Sequence, residues 1–268
     1  MTGLDEPTQA ENPVDDVDNI IEPAVPERLR WLAGLLDARP GERIADLGCG
    51  TGAVLSIVAQ TASLELVGLD LSGAALRVAA SELGGSGSGR LLVQADLDDP
   101  VPLADQSVNR VVCHNVLESL PDPAALLEEA GRVLRPGGRL VLSHPDYDTL
   151  IFSSEDQALT RRLVRTYSDT QQDWMAAVDG TIGRRLPELV GRSPLRIDAV
   201  EVNAVVSRVW APGELGYGYA HNLVGALTRS RAADPNELAA WLQGLARLAD
   251  RHAFLFSLND YAVVATRP

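Results

Sequence analysis

Residues 43–52 read Arg43-Ile44-Ala45-Asp46-Leu47-Gly48-Cys49-Gly50-Thr51-Gly52. A short apolar run ends around Asp46, glycines fall at 48, 50 and 52, and a helix-like segment follows from Gly52 to Gln60. The order is strand, turn, helix start. Glycine admits backbone conformations closed to other residues and lets a ligand approach the main chain. The first turn of a helix offers unpaired N–H groups at the positive end of its dipole. Alone the loop is ambiguous: a plain tight turn satisfies it, and Gly48-x-Gly50-x-x-Ala53 also fits the dinucleotide pattern G-x-G-x-x-A.

Outward from this loop, strand-like and helix-like segments alternate. Upstream, Leu29, Leu32, Leu35 and Leu36 recur at helical spacing and stop before Pro40-Gly41. Downstream, Leu64–Leu69 reads as a strand and Gly73–Leu83 as a helix ending in the Gly/Ser turn of residues 84–89. Leu91–Ala95 and Val108–Cys113 read as strands, Pro121–Leu134 as a helix with Leu126, Leu127, Ala130, Val133 and Leu134 on one face, and Leu140–Ser143 as a strand. Such alternation predicts an α/β fold with a parallel sheet and helices on both faces. Beyond residue 144 it breaks. Residues 154–178 look helical, with Leu159, Leu163, Val164 and Tyr167 sharing a face, and Leu195–Val206 alternates like a strand. An amphipathic helix carries Leu238, Trp241, Leu242, Leu245 and Leu248, and Ala253–Thr266 reads as a closing strand.

The strand ends carry the chemistry. Asp70 closes Val67-Gly68-Leu69-Asp70, where a carboxylate can accept both hydroxyls of a ribose, each such charge-assisted bond contributing about 1.5–3 kcal/mol. Asp96 follows the third strand in Gln94-Ala95-Asp96-Leu97; an acceptor beside an apolar residue suits an adenine, whose amine donates and whose face wants apolar contact. The fourth strand runs into Cys113-His114-Asn115-Val116-Leu117-Glu118-Ser119-Leu120, and Leu134-Arg135-Pro136-Gly137-Gly138 precedes the fifth.

In this order, residues 25–145 resemble the class I S-adenosylmethionine-dependent methyltransferases, in particular the small-molecule, quinone-biosynthesis-like group. The resemblance implies a Rossmann-like, seven-stranded, mostly parallel sheet with an antiparallel last strand, and helical cap insertions after strands five and six. It implies S-adenosylmethionine as cofactor and S-adenosylhomocysteine as product. Asp46, Gly48, Cys49, Gly50 and Gly52 would hold the methionine portion, Asp70 the ribose diol with Leu71 beside it, and Asp96 with Leu97 the adenine. His114 and Asn115 would lie beside the amino group and the sulfonium. One departure stands out: many small-molecule members carry a His in the loop after strand four, as E-H or H-H, where this chain has Glu118-Ser119, so no base carries over at that position.

Ligands in open α/β sheets bind beyond the carboxyl ends of the parallel strands. The segments His144–Ser193 and Ala211–His252 both leave from that edge and are expected to cap the cofactor. Their catalytic candidates are His144, His221 and Tyr217; their substrate-binding candidates are Tyr147, Arg184, Tyr219 and Asn222, with Asp148 and Arg185 nearby in sequence. Each has a plainer reading. His144 before Pro145 can simply end a strand, the two tyrosines can be packing anchors, and His221 can partner a helix cap. Arg184-Arg185 fits either a bidentate grip on a carboxylate or a solvated helix face. Trp174 and Trp241 are expected in the core, Cys49 and Cys113 carry no thiol chemistry, and no metal site is expected.

Composition narrows the partners. The 268 residues hold 23 Lys+Arg against 37 Asp+Glu, a net charge of −14, and every basic residue is Arg. That field repels a polyphosphate, so nucleic acid is disfavoured and a small-molecule acceptor expected. The predicted activity is methyl transfer to an O, N or C nucleophile, in secondary metabolism. The alternatives are a protein or tRNA methyltransferase, or a protein that binds S-adenosylmethionine without transferring methyl. No run approaches the roughly 20 apolar residues that span a bilayer. Residues 1–22 carry seven acidic groups and no basic one, which excludes a signal peptide and predicts a mobile leader before a single domain, 23–268. Within it the cofactor-binding core is 23–145 and the substrate cap 146–194 and 211–252; the expected location is cytoplasmic, and a homodimer is left open.

Overall fold

In the computed structural model, residues 26–60, 63–84, 89–176 and 180–268 are described, and the acidic leader lies outside them. The first helix, α1 (Pro26–Leu36), leads into β1 (Arg43–Leu47), α2 (Ala53–Val58), β2 (Glu65–Asp70) and α3 (Gly73–Glu82). Then come β3 (Arg90–Gln94), β4 (Val108–His114), α4 (Pro123–Val133) and β5 (Leu134–Pro145). Side-chain caps start three of the later helices as well as α3. Ser72 accepts from the Ala75 N–H at 3.1 Å and Asp122 from the Ala124 N–H at 3.1 Å, with proline in the first turn of α4, where its missing N–H costs nothing.

Strands β1 to β5 are parallel in the order β3-β2-β1-β4-β5, so the chain leaves β1 toward β2 and β3 and returns to its other side with β4. This reversal opens a cleft at the carboxyl ends of β1 and β4. The last strand, β8 (Phe256–Thr266), runs antiparallel between β5 and β7 (Arg196–Ser207), which is the expected antiparallel closing strand. Period-two alternation divides the core. Ile44, Val112, Val141 and Val264 face α1 and α2, whereas Ala45, Val111, Leu140, Leu142 and Val263 face α4 and α6 (Ile182–Gly191).

Three elements differ from expectation. The fifth strand is twelve residues long, not four, because an irregularity in its register with β4 between Val108 and Arg110 lets Leu134-Arg135-Pro136-Gly137-Gly138 run on into the strand. An eighth strand appears, β6 (Ile151–Phe152), which prolongs the line of β5 along β8. The helix expected over 154–178 is α5 (Gln157–Ser168): Asp156 caps its start, its apolar face ends at Tyr167, and Gly180 packs so closely on Ser168 that a Cβ there would lie 2.4 Å from the Ser168 carbonyl oxygen.

Past β7 the chain forms two helices, α7 (Leu215–Arg229) and α8 (Pro235–Asp250), where the sequence pattern indicated one. With α5 and the segment after β5 they share a separate apolar cluster that includes Tyr147, Phe152, Tyr167, Tyr219, Leu223, Trp241 and Phe256. Trp241 is buried there as expected, edge-on to Phe152 and donating to Thr160 Oγ1 at 2.9 Å. Trp174 is not a core residue: it is 44% exposed. Among the described residues no helix is long and apolar enough to cross a membrane.

Candidate functional site

The glycine loop sits at the cleft because β2 holds it there. The N–H groups of Gly48 and Cys49 both donate to the Leu69 carbonyl, at 2.8 and 2.9 Å, and the Gly50 N–H donates to Asp70 Oδ2 at 2.7 Å. The other carboxylate oxygen of Asp70 accepts the Ser72 N–H at 2.9 Å. A carboxylate offers about four lone-pair sites, so acceptor capacity remains for two hydroxyls. Gly48 has φ +78° and Gly50 φ +51°; a Cβ on Gly50 would meet none of the described residues within 4 Å, so this backbone is open toward the cleft side. Leu71, beside Asp70, is 45% exposed, an apolar surface at the same edge. Asp96 is exposed at the end of β3 with Oδ1 accepting the Asp98 N–H, and Leu97 is buried behind it.

Asp46 lies under the loop, nearly fully buried. Burial, and secondarily the charge of Asp70, push its carboxyl up to about 8. A buried acid in that state fits a site that receives a cation. Asn115 adds to this polarity: it holds φ +57°, and its Oδ1 is buried with no hydrogen-bond donor among the described residues. His114 precedes it at the end of β4. Burial raises the Cys49 and Cys113 thiols far above the usual thiol range, which keeps both as unreactive neutral groups.

The raised Asp46 sets a pH dependence whose sign is definite. Its folded value exceeds the ordinary carboxyl value of 3.8, so the folded chain binds more protons between those limits and stability falls as pH rises through them. The slope is at most about 1.4 kcal/mol per pH unit. Asp46→Asn removes that slope, and urea unfolding midpoints at pH 5 and 8 are expected to converge in the variant while they diverge in the parent.

The other sequence-predicted residues are distributed unevenly. His144 is fully buried at the end of β5, with Glu118 Oε2 3.5 Å from its Nε2. Tyr147 and Tyr219 are buried together, their rings 6.1 Å apart, and the Tyr147 hydroxyl donates to Glu118 Oε1 at 3.3 Å. Arg184 does meet a carboxylate in a fork, but an internal one: its Nε and an Nη bond Asp146 at 2.6 and 2.7 Å, and it also pairs with Asp148 at 3.2 Å. Arg185 is exposed beside it. His221 and Asn222 are exposed, and Tyr217 stacks on His221 at 3.9 Å, on the side of α7 opposite the buried Tyr219. The structure therefore does not bring His221 and Tyr217 together with His144.

Two residues escaped the sequence reading. Arg28, in the first turn of α1, is buried with Nη1 3.6 Å from the buried Asp260 of β8. Glu118 gathers His144, Tyr147 and Trp174, the last donating at 3.3 Å. Neither stands in a local pattern; the described residues that their side chains meet lie 26 or more positions away.

Residues 45–142 match the model of the family described as Methyltransferase domain. The chain is 34% identical over 190 residues to an uncharacterized 37.1 kDa protein in transposon TN4556 of Streptomyces fradiae, covering 63% of this chain and 52% of that protein. It is 34% identical over 121 residues to a ubiquinone biosynthesis O-methyltransferase of Alkalilimnicola ehrlichii, covering 44% and 47%. The chain thus spans about half the length of these curated relatives. A Bacillus halodurans structure, solved as a candidate methyltransferase, superimposes with a TM-score of 0.61 at 17% identity over 90% of this chain and 99% of that one, a likeness of fold. The cofactor of the family, S-adenosylmethionine, fits the residues present. A bordering glycine backbone, a diol acceptor at Asp70, an exposed apolar Leu71, a buried acid at Asp46 and the Asn115 Oδ1, which has no donor among the described residues, match an adenosine joined to a cationic amino acid. By its strand order, its glycine loop and the match of residues 45–142, the chain carries a methyltransferase domain of the class I S-adenosylmethionine-dependent type.

Proposed function

We propose that the protein transfers a methyl group from S-adenosylmethionine to an O, N or C nucleophile of a small molecule, in secondary metabolism or quinone-type chemistry within the cytoplasm. The observation that carries this reading is the aromatic cluster of Tyr147, Tyr167 and Tyr219, built by the excursions after β5 and β7, which leave from the carboxyl edge of the parallel strands. Such a cluster suits a compact, partly apolar acceptor. The net charge of −14 opposes a polyphosphate one. The likeness to a ubiquinone biosynthesis O-methyltransferase supports the same substrate class.

Mechanistically, the bound cofactor supplies a methyl group on a sulfonium that is already a good leaving group. The chain's own task is to align the acceptor behind that methyl and exclude water, an effect that reaches several kcal/mol. Gly48, Cys49, Gly50 and Asp46 hold the amino-acid end, Asp70 and Leu71 the ribose, Asp96 and Leu97 the adenine, and His114 with Asn115 the region of the sulfur. Residues 23–145 act as the cofactor-binding core, and 146–194 with 211–252 as the cap that shields the acceptor. Tyr147 and Tyr219 line it from the cap side.

Isotope transfer tests this. With methyl-labelled cofactor and fractionated extract, label is expected in the small-molecule pool. Label confined to protein or RNA rejects the acceptor class, and cofactor binding with no transfer to any fraction indicates a non-methylating binder. Calorimetry with S-adenosylhomocysteine against NADH checks the loop itself: binding of NADH alone contradicts the assignment.

A further inference from the structure

Toward the amino ends of β4 and β5, the far end of the sheet from the glycine loop, lies a cavity of about 320 Å³. That is the small end of the roughly 300–1,000 Å³ of small-molecule sites. Its walls carry Arg39, Arg110, Arg135 and Arg139 against Asp37 and Glu42. Arg110 and Arg139 are direct partners in the β4–β5 register, so their side chains leave the same face of the sheet, where like charges repel. Burial lowers the Arg110 pKa; Glu42 opposes that shift, and the charges of Arg139 and Arg39 add to it.

Pairing leaves positive charge over. Glu42 takes Arg110 at 3.0 Å, and Asp37 lies 3.8 Å from Arg39. Asp198 of β7, which the Arg139 charge reaches, pairs with Arg196 at 2.9 Å. Arg135 and Arg139 form no ion pair among the described residues. Each donates to one backbone carbonyl, Arg135 to Gln106 at 3.2 Å and Arg139 to Leu35 at 3.0 Å. A guanidinium carries five N–H donors, so most of theirs stay open. The buried Arg110 also keeps an Nε with no acceptor among the described residues. Capping the last carbonyls of α1, Leu35 by Arg139 and Asp37 by Arg110, accounts for one donor on each. Arg135 serves neither carbonyl.

We propose that this cavity binds a phosphate group, free or carried on a small molecule, held by Arg135, Arg139 and Arg110. The site is separate from the methyl-transfer reading and stands or falls without it. The two arginines without an ion pair match a dianion, whose several oxygens accept from guanidinia on different segments. A carboxylate brings one charge and occupies one fork. The chain's net charge of −14 repels anions at long range, but salt screens that field beyond about 8 Å, whereas contact with the arginines is local. A bound phosphate also relieves the repulsion between Arg110 and Arg139 and ties β4 to β5, so it stabilises the folded chain.

The test titrates the full chain by calorimetry with inorganic phosphate, glycerol 2-phosphate and acetate, each in chloride buffer of equal ionic strength at pH 8. Phosphate or its ester is expected to bind at least tenfold more tightly than acetate and to raise the thermal midpoint. An ester that binds tenfold more tightly than inorganic phosphate identifies a phosphorylated small molecule as the ligand, and an ester that binds equally or less tightly identifies free phosphate; both support the site. Arg139→Gln and Arg135→Gln should each weaken binding at least tenfold and abolish the midpoint rise. Arg135 is exposed and outside the α1 cap, so its variant stays folded even if Arg139→Gln does not. No binding of either phosphate, acetate as tight as phosphate, or binding retained in Arg135→Gln overturns the site. S-adenosylhomocysteine should bind Arg135→Gln as it binds the parent, and loss of both ligands together overturns the assignment of a separate site.

Discussion

Asp70→Ala is expected to weaken S-adenosylhomocysteine binding about 100-fold or more while leaving the chain folded. The carboxylate is only partly buried at the tip of β2, and its removal opens no apolar cavity. It performs two tasks at once. It organises the loop by accepting the Gly50 and Ser72 N–H groups, and it offers its remaining lone pairs to the ribose. Charge-assisted bonds contribute about 1.5–3 kcal/mol each, and losing two of the weaker kind already amounts to about 3 kcal/mol, or two decades in dissociation constant. Asp70→Asn keeps one acceptor and is expected to lose less. Because the charge of Asp70 is a secondary cause of the raised Asp46 value, the alanine variant should also weaken the pH dependence of stability. Calorimetry reads the affinity, and an unchanged dissociation constant contradicts the ribose role.

Gly48→Ala is expected to be the most damaging single-methyl change in the loop. The backbone there has φ +78°, and an added Cβ would lie 2.2 Å from Val116 Cγ2. Left-handed backbone costs an ordinary residue roughly 1–2 kcal/mol, and forcing a methyl into a filled site roughly 1–3 more, so a loss of about 2–5 kcal/mol should appear in urea unfolding. Val116→Ala should recover the steric share and leave the backbone share, which a double-mutant cycle separates. Gly50→Ala gives the contrast. Its φ is +51° but its Cβ would meet none of the described residues within 4 Å, so stability should fall by only the backbone share, whereas cofactor affinity should drop because the methyl occupies the open side of the loop. If both variants lose stability alike and bind alike, the open side of Gly50 does not face the ligand.

The cofactor half of the site was legible because each of its parts sits at a strand end within a local motif. Asp46 and the glycines follow β1, Asp70 closes β2, and Asp96 follows β3, so finding the strands located the residues. The cap was less legible. Its helices were detected by period, but α7, with Gly-Tyr-Gly-Tyr at its start, lacks a clean apolar stripe in sequence, and the helix expected to reach residue 178 ends at Ser168. Arg184-Arg185 read equally well as a ligand grip or a solvated face, and only the position of Asp146, 38 residues earlier, showed what the fork of Arg184 holds. Trp174 was placed in the core on residue type alone, and its indole is instead half exposed over Glu118.

Strand, glycine turn and acidic tip were written in consecutive residues, since dihedral freedom, side-chain period and helix capping act over a few positions; the cofactor region and the parallel sheet follow from them. Which side chains meet across the cleft depended on β8 entering between β5 and β7 and on two distant excursions sharing one apolar cluster. The meeting of Glu118 with His144, and of Arg28 with Asp260, arises from that packing. Electrostatic pairs across long sequence separation leave no periodic trace, and so the tertiary structure alone decided them.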